Sequence, residues 1–160
     1  MPIPAEALEL ENRSLGINYE PTLAEAYKIL KAAWDKGNRD REVALHLMFI
    51  AWYGIIEPSH ITGFIESDEE KHKLNQVLFD VHEHFKARIS DDAEMLYTFG
   101  LMASMEYYML ERPDYWEKIG IEYRPLYRAL APNGLDSSIF KDRGAYGEYY
   151  EMQSQTLGGY

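Results

Sequence analysis

Residues 43–56 read VALHLMFIAWYGII, and this stretch decides the fold class. Its apolar side chains fill more than one helical stripe, so we expect a helix that is buried on several sides at the centre of the fold. His46 and Gly54 interrupt the apolar run, which is too short to span a membrane. Glu57 ends the helix because the residue before a proline, here Pro58, avoids the α region.

The segment before this stretch predicts a second helix. Thr22 is its N-cap, and Glu25 three residues later completes a capping box. Apolar residues then recur at three- and four-residue spacing as far as Gly37, which acts as the C′ stop. The central helix follows from about Asp40. Residues 1–20 form an N-terminal segment to which no element is assigned.

Two further helices are predicted after the central one. Ser67 begins the first of them, with Glu70 completing its capping box. Its buried face consists of Leu74, Val77, Leu78, Val81, Phe85 and Ile89. The next helix starts at Ser90 or Asp91, with a capping box at Asp91, and Pro113 ends it.

Beyond Pro113 the pattern is shorter and more broken. The predicted elements are a helical turn at 114–118, a helix at 122–130, a turn at 132–134 and short helices at 137–141 and 146–153. Pro125 is placed in the first turn of its helix, where its missing N–H costs nothing. Residues 154–160 are expected to be a frayed tail. No segment alternates as a strand does, so the prediction is a single all-α domain over residues 1–160.

The helices pair into two antiparallel hairpins, residues 22–56 and 67–111. The second helices of the two pairs have the same pattern of a small, a bulky and a small residue. Ala44, Met48 and Ala51 of the first pair correspond to Ala93, Tyr97 and Gly100 of the second, at an offset of 49 residues. Tetratricopeptide repeats use such packing, although their tryptophan, leucine, glycine and tyrosine signature is absent. Stacked helical hairpins are therefore preferred over an irregular helical bundle, and both stay open.

Composition and charge restrict the partners. The chain has 160 residues, of which 46% are hydrophobic and 14% aromatic, so it is a folded protein. The chain contains 27 acidic residues and only 16 basic ones, so we expect neither direct nucleic-acid binding nor attraction to an anionic membrane. The absence of cysteine excludes thiolate chemistry and cysteine metal sites. The first residues lack the pattern of a secretory signal, so a cytoplasmic location is expected.

The histidines do not form a recognisable metal site. His82 and His84 are two residues apart and would point about 200° from each other on a helix. His72 follows Glu69 at a spacing seen in di-metal bundles, but a second such pair is missing. His46 is interpreted as a hydrogen-bonded core or groove histidine. The sequence predicts no catalytic, cofactor-binding or metal-binding residue. The alternative is a metal-dependent or hydrolytic helical enzyme that uses His72, His82 or His84 with nearby carboxylates.

Tyrosine is concentrated in the second half of the chain. Ten of the 13 tyrosines lie between Tyr97 and Tyr160, interleaved with acidic residues. Either the tyrosine rings are buried while their hydroxyl groups remain exposed to water, or the tyrosines form an interaction surface for a basic partner. The candidate partner contacts are Glu106, Tyr107, Glu111, Asp114, Tyr115, Trp116 and Glu117, with Asp68, Glu69, Asp91 and Asp92 steering the approach.

The segment from Trp52 to Phe64 is a packed corner or the lip of a binding groove. The chain is small, acidic and free of cysteine, and it combines this segment with tetratricopeptide-like hairpins. In these features, residues 20–130 resemble helical immunity proteins of bacterial polymorphic and contact-dependent toxin systems. The resemblance rests on composition and layout and carries no site residues over. It implies a cytoplasmic protein that binds and blocks a cognate toxin domain, commonly a nuclease with a basic groove. A helical-repeat adaptor that binds a peptide is a further alternative.

Overall fold

The structure of the chain is a computed structural model, and it describes residues 3–156 and 160. Its helices are α1 (Ala5–Arg13), α2 (Leu23–Asp35), α3 (Arg41–Ile56), α4 (Ser59–Thr62), α5 (Asp68–Phe85), α6 (Ala93–Met105), α7 (Pro113–Leu130) and α8 (Gly144–Thr156). Short 3₁₀ turns occupy Ile89–Asp91, Tyr107–Met109 and Ser137–Phe140. Because the described residues include no strand, the all-α prediction is confirmed.

The chain divides into two compact units. Unit 1 runs to Val81 and includes Arg143–Tyr146, and unit 2 consists of His82–Asp142 and Gly147–Tyr160. The divisions fall inside α5 and inside α8. In unit 1, α2 packs against α1 and α3, and in unit 2 the main pair is α6 with α7. A single domain over residues 1–160 and a repeat at an offset of 49 stay predictions.

The helix α3 is the core of unit 1, as its sequence predicts. Twelve of its 16 residues are buried, and they lie on all sides of the helix. The Asp40 carboxylate begins the helix by accepting a hydrogen bond from the Glu42 N–H at 2.9 Å. Glu57 ends it in an extended conformation before Pro58. The strongest signal in the sequence thus defines the most buried helix.

The expected boundaries of α2 and α5 are largely correct. Gly37 follows α2 with a φ of 96°, which glycine adopts without strain, and the Asn38 N–H donates to the Ala33 carbonyl at 3.0 Å. Ser67 begins α5, and its hydroxyl oxygen accepts from the Glu70 N–H at 3.1 Å. All six residues of the buried face predicted there are buried.

The N-cap of α2 is Thr22, as predicted, but the expected side-chain cap of Thr22 is absent. The backbone of Thr22 lies in the right-handed helical region (φ −100°, ψ 0°) and its side chain makes no capping bond. Its buried hydroxyl donates to the Leu10 carbonyl oxygen at 2.6 Å. That bond joins α2 to the end of α1, a helix within the N-terminal segment 1–20 that the sequence analysis missed. The charged Glu11 lies on the buried face of α1, so no continuous apolar stripe marks the helix.

The predicted ends of α6 are wrong. Its N-cap is Asp92, whose carboxylate accepts from the Met95 N–H at 3.0 Å, and Asp91 belongs to the preceding 3₁₀ turn. The helix ends at Met105, and Pro113 begins α7 instead of ending α6. Proline is well placed at a first helical position, where its N–H would have no partner.

The two short elements predicted at 114–118 and 122–130 are one helix, α7, with Pro125 in its interior. Pro125 cannot donate to the Ile121 carbonyl, and an interior proline costs about 3 kcal/mol. Four inward-facing side chains offset that cost, because each buried large apolar side chain contributes about 1.5–3 kcal/mol. They are Trp116, Ile119, Tyr123 and Tyr127.

The last part of the chain is more ordered than expected. The turn at 132–134 is present, with the Gly134 N–H bonded to the Ala131 carbonyl at 2.9 Å. Of the tail expected to fray, residues 154–156 continue α8, and Tyr160 is buried. Residues 157–159 lie outside the described part of the chain, so the predicted fraying of these three residues stays a prediction.

Candidate protein-binding surface

Most of the partner contacts predicted from the sequence reach the surface of unit 2. They lie on the 3₁₀ turn Tyr107–Met109 and the first turns of α7. Glu111, Asp114 and Glu117 are exposed. The half-buried members of the set are Glu106, Tyr107 and Tyr115. The turn and the helix start therefore present alternating carboxylates and aromatic rings to solvent.

Trp116 does not belong to this surface. Its side chain is only 2% exposed, and its ring packs edge-on against the His82 ring with the centroids 5.5 Å apart. Consecutive side chains on a helix point about 100° apart, so Trp116 points into the core while its neighbour Tyr115 stays partly exposed. The sequence suggested a contact residue where the structure has a core residue.

Three exposed side chains with large apolar parts are absent from the predicted list of partner contacts, although Tyr108 belongs to the tyrosine cluster from which the surface was inferred. Tyr108 is 67% exposed, Met109 43% and Ile121 66%. In the sequence Ile121 lies between the polar residues Glu117 and Arg124 of one helix face, a pattern that does not by itself distinguish an exposed from a buried side chain. We call the following nine residues the acidic–aromatic surface: Glu106, Tyr107, Tyr108, Met109, Glu111, Asp114, Tyr115, Glu117 and Ile121.

Most of the ten clustered tyrosines are buried and play no part in that surface. The six with less than a tenth of their side chain exposed are Tyr97, Tyr123, Tyr127, Tyr146, Tyr150 and Tyr160. Their hydroxyls find partners inside, as in the bond from Tyr150 to the Thr98 carbonyl at 3.1 Å. The interpretation of buried rings applies to these six, whereas Tyr107, Tyr108 and Tyr115 reach the surface.

Tyr115 is fixed in place by a chain of hydrogen bonds. Its hydroxyl donates to the Glu83 carboxylate at 3.3 Å and lies 2.7 Å from His82 Nδ1, while His82 Nε2 lies 2.5 Å from the Tyr123 hydroxyl. Burial lowers the pKa of His82 to about 4, so the imidazole is neutral at pH 7. Its Nδ1–H then donates to Tyr115, and its Nε2 accepts from Tyr123.

The charge of the surface is negative. Residues 106–117 contain four carboxylates and one cation, Arg112, so their net charge is −3. The Arg112 guanidinium lies over the Tyr115 ring at 5.1 Å. A hydrogen bond to Glu106 raises the pKa of the Tyr108 hydroxyl, which stays protonated as a donor at neutral pH.

A cavity of about 250 Å³ adjoins this surface in unit 2. It lies between the end of α6 and the middle of α7, and its lining residues are Ser104, Tyr107, Glu117, Gly120, Ile121 and Arg124. Three of these residues belong to the acidic–aromatic surface. The surface therefore has a concave part in addition to its exposed rings.

The residues predicted to steer a partner are only partly available. Asp68, Glu69 and Asp91 are exposed, with Asp68 and Glu69 in unit 1. Glu69 also pairs with Lys73 at 3.3 Å. The Asp92 carboxylate caps α6, so its position is explained by the helix start.

The histidines of the enzyme alternative do not converge. His72 and His84 are exposed, whereas His82 is buried between two tyrosine hydroxyls. Among the described residues, no group of three or more histidine, aspartate or glutamate side chains is arranged to hold a metal ion. The structure therefore assigns no metal ligand to these positions.

His46 is a hydrogen-bonded core histidine, as one interpretation of the sequence expected. It is fully buried in unit 1, with Nδ1 2.6 Å from Glu11 and Nε2 2.9 Å from Glu42. Arg143 donates two bonds to Glu42, at 2.9 and 2.7 Å. The Tyr146 N–H donates to Glu11 at 3.3 Å. His46 and Arg143 thus face the carboxylates of Glu11 and Glu42 in one hydrogen-bonded cluster.

The segment from Trp52 to Phe64 is a packed corner. Trp52 and Phe64 are both buried, and the Tyr27 ring meets the Phe64 ring edge-on at 5.3 Å. A Cβ at Gly54 would lie 2.6 Å from the Phe64 ring, so this position requires glycine. The burial of Trp52 and Phe64 and the close approach of Gly54 to the Phe64 ring favour the structural interpretation over a groove lip.

Comparison of the chain with family models, with curated proteins and with solved structures finds no match. No helix in the described part of the chain is both long enough and apolar enough to cross a membrane.

Proposed function

We propose that this chain is a protein-binding module that covers a basic region of a partner with the acidic–aromatic surface. The observation that carries the proposal is the exposure of Tyr108, Met109 and Ile121 next to four carboxylates on one part of unit 2. Exposed apolar side chains rimmed by polar groups are typical of interaction sites. Tyrosine is enriched among the residues that contribute most to binding.

The two kinds of side chain have different roles in such a complex. The rings of Tyr107 and Tyr108 and the Ile121 side chain are apolar anchors that a partner would desolvate. The carboxylates around them favour a basic partner and accelerate its approach, because complementary charge raises association rates. The hydrogen bonds that fix Tyr115 reduce the conformational entropy lost on binding.

The partner that we propose is the basic domain of a cognate toxin, so that the chain acts as an immunity protein in the cytoplasm. The layout that resembles helical immunity proteins supports this choice, as does the excess of acidic residues. Inhibition would be steric and electrostatic: the surface would cover a basic substrate groove and exclude an anionic substrate. The proposal requires no catalytic group of this chain.

The test uses the toxin domain encoded beside the gene for this chain in its native genome. Binding is measured at several salt concentrations for the intact chain and for a triple variant, Glu111→Lys, Asp114→Lys and Glu117→Lys. We expect the association rate at low salt to fall at least about tenfold in the variant, with a weaker salt dependence.

A matched control carries the same change of charge elsewhere. Glu6, Glu9 and Glu25 are exposed residues of unit 1, and their replacement by lysine alters the net charge equally. If both triple variants lose affinity to the same extent, general charge and not this surface attracts the partner. If neither changes affinity or salt dependence, the proposed surface is wrong, and the absence of a neighbouring toxin gene would contradict the immunity role.

A further inference from the structure

The outward side of α7 is largely apolar in its second half. Its exposed apolar residues there are Ile121, Pro125, Leu126, Ala129 and Leu130. The side chain of Ile121 is 66% exposed, that of Leu126 42% and that of Leu130 47%. Single exposed apolar side chains are common on protein surfaces, whereas a group of them on one helix is typical of an interaction site. This half of α7 therefore has the composition of a helix face that packs against another helix.

Charged residues extend this face towards both ends of α7. Asp114, Ile121 and Arg128 follow each other at intervals of seven residues, which is almost two full turns, so they lie on one line along the helix. Glu117 and Arg124 lie within about 60° of the same line. All five residues are exposed. They thus place carboxylates before Ile121 and cations after it.

This order of charges is complementary to its own reverse. If two α7 helices packed antiparallel with Ile121 facing Ile121, Asp114 would lie opposite Arg128, because each is seven residues from the centre. Glu117 would lie opposite Arg124, since four and three residues separate them from Ile121 and the offset is only about 1.5 Å. Twofold symmetry makes each contact twice, so ion pairs would surround the two isoleucines at both ends.

The same charges disfavour a parallel arrangement. Parallel helices would place Asp114 beside Asp114 and Arg128 beside Arg128, and their dipoles would repel each other. In the antiparallel pair, Lys118 of one copy would lie at the height of Arg124 of the other, but the two side chains are on opposite edges of the face. Lys118 also pairs with Glu122 of its own helix at 3.7 Å. The antiparallel arrangement therefore suits the charges better.

Contacts with Tyr160 hold the two arginines at this face. The Arg124 guanidinium lies over the Tyr160 ring, 5.2 Å from its centroid, and Arg128 Nε donates to the main-chain oxygen of Tyr160 at 3.3 Å. A guanidinium has five N–H donors, so Arg128 can keep this bond while its Nη groups donate to a carboxylate. Cations that are positioned in advance lose less side-chain entropy when a partner binds.

We propose that this chain forms a twofold-symmetric dimer through α7. The two helices pack antiparallel, with the Ile121 side chains in contact at the axis and the acidic half of each helix against the basic half of the other. A single pair of helices buries less than the roughly 1,200–2,000 Å² of a standard interface, so we expect a reversible dimer with a Kd of about 1 µM or weaker.

The dimer would cover part of the acidic–aromatic surface, namely Asp114, Glu117 and Ile121. A second copy of the chain and a toxin domain would therefore exclude each other at this place. The dimer is inferred from α7 alone and does not rest on the proposed function. Its test contains no toxin, so the two proposals fail or hold separately.

Sedimentation equilibrium of the intact chain between about 10 µM and 1 mM tests the dimer, in about 0.15 M salt so that repulsion between the net charges is screened. We expect a reversible monomer–dimer equilibrium. Ile121→Asp should weaken it at least about tenfold, because a carboxylate would be desolvated at the axis. The control is Ile65→Asp, the same change at a residue that is 76% exposed in unit 1, and it should leave the association unchanged. A chain that stays monomeric at about 1 mM, or an Ile121→Asp chain that dimerises like the intact one, contradicts the proposal.

Charge reversal tests which residues face each other. Glu117→Arg and Arg124→Glu should each weaken self-association at least about tenfold, because each places like charges opposite one another in both symmetric contacts. An equal mixture of the two variants should associate about as strongly as the intact chain, since both contacts of the mixed dimer are then ion pairs. Circular dichroism checks that each variant is folded. A mixture that associates no better than either variant alone overturns the proposed pairing.

Disulfide cross-linking tests the direction of the helices, and the absence of cysteine from the chain makes the result specific. Oxidation of the Ile121→Cys variant should yield a covalent dimer, because the two copies of this residue meet at the axis. The two copies of residue 114 would lie about 21 Å apart along the antiparallel pair, beyond the reach of a disulfide. Asp114→Cys should therefore cross-link much more slowly. Equal rates for the two variants, or faster cross-linking of Asp114→Cys, would rule out the antiparallel dimer.

Discussion

His46 and His82 are both buried, yet their surroundings favour opposite protonation states. Burial alone lowers the pKa of either imidazole, and at His82 this effect prevails and gives a pKa of about 4. At His46 the charge of Glu11 and the hydrogen bonds to Glu11 and Glu42 outweigh burial and raise the pKa to about 9. The partner of each ring, carboxylate or phenol, decides its charge.

The first prediction concerns the alkaline limit of stability. The folded pKa of His46, about 9, lies above the unfolded value of 6.5, so its stabilising effect is complete below pH 6.5. That effect is lost as the pH rises through 9. We expect the free energy of unfolding, measured in urea, to decrease between pH 7 and pH 9.5 by about 2 kcal/mol.

Nuclear magnetic resonance of the imidazoles checks the assignment directly. One histidine should titrate near pH 9 and another near pH 4, and His46→Gln and His82→Gln should each remove one of these signals. Titration of both buried histidines between pH 6 and 7 would contradict the hydrogen-bonded partners assigned to them. The His46→Gln chain, if it folds, should lose the decrease of stability above pH 7.

At the scale of elements, α7 shows how packing overrides a local signal. The helix runs through Pro125 without interruption from Pro113 to Leu130. The sequence around Pro125 predicts a helix start, because proline fits a first turn. The buried side chains on both sides of Pro125, Tyr123 and Tyr127, are what keep the helix continuous.

The second prediction follows from the missing hydrogen bond of that helix. Pro125→Ala restores the N–H that the Ile121 carbonyl lacks, so it should raise the free energy of unfolding by about 1–3 kcal/mol. Leu126→Ala is the matched control, because Leu126 is 42% exposed in the same turn and should change stability by only about 0.5 kcal/mol. A Pro125→Ala chain no more stable than the natural one would show that the ring itself contributes to packing.

Elements were predictable where the signal was local. The start of α3 near Asp40, the cap at Ser67 and the stop at Gly37 need only neighbouring residues, and all three are present. The prediction failed for the side-chain cap of Thr22, which is the N-cap of α2 but whose hydroxyl bonds to Leu10, twelve residues away in the sequence. It failed at Pro113 because a proline is equally suited to following one helix and to starting the next.

At the scale of the whole molecule, the formal net charge is −11. Like charges repel in the folded chain and are screened by salt. The third prediction is therefore that sodium chloride, raised from 10 mM to 0.5 M, increases the Tm by a few °C. The variant with Glu6→Gln, Glu9→Gln and Glu25→Gln should respond less. A Tm that falls with salt would mean that ion pairs, such as the one between Arg13 and Glu20, outweigh the repulsion.

The surface could be located from the sequence only in part. Clustering of acidic residues with tyrosines located the segment 106–117, and most of those side chains reach solvent. The sequence could not separate Trp116 from Tyr115, because neighbours on a helix differ only in the direction that packing assigns to them. Nor could it reveal Ile121 as exposed, since a lone apolar residue on a helix suits the core as well.

By itself, the sequence determined an all-α chain, the central position of α3, the negative charge and several helix ends. These depend on composition, on the period of apolar residues and on contacts within one turn. Only the tertiary structure decided which tyrosines are buried, the charge of His46 and the packing of the Tyr160 ring against Gly100. Those features depend on side chains far apart in sequence, and their distances arise only when the helices pack.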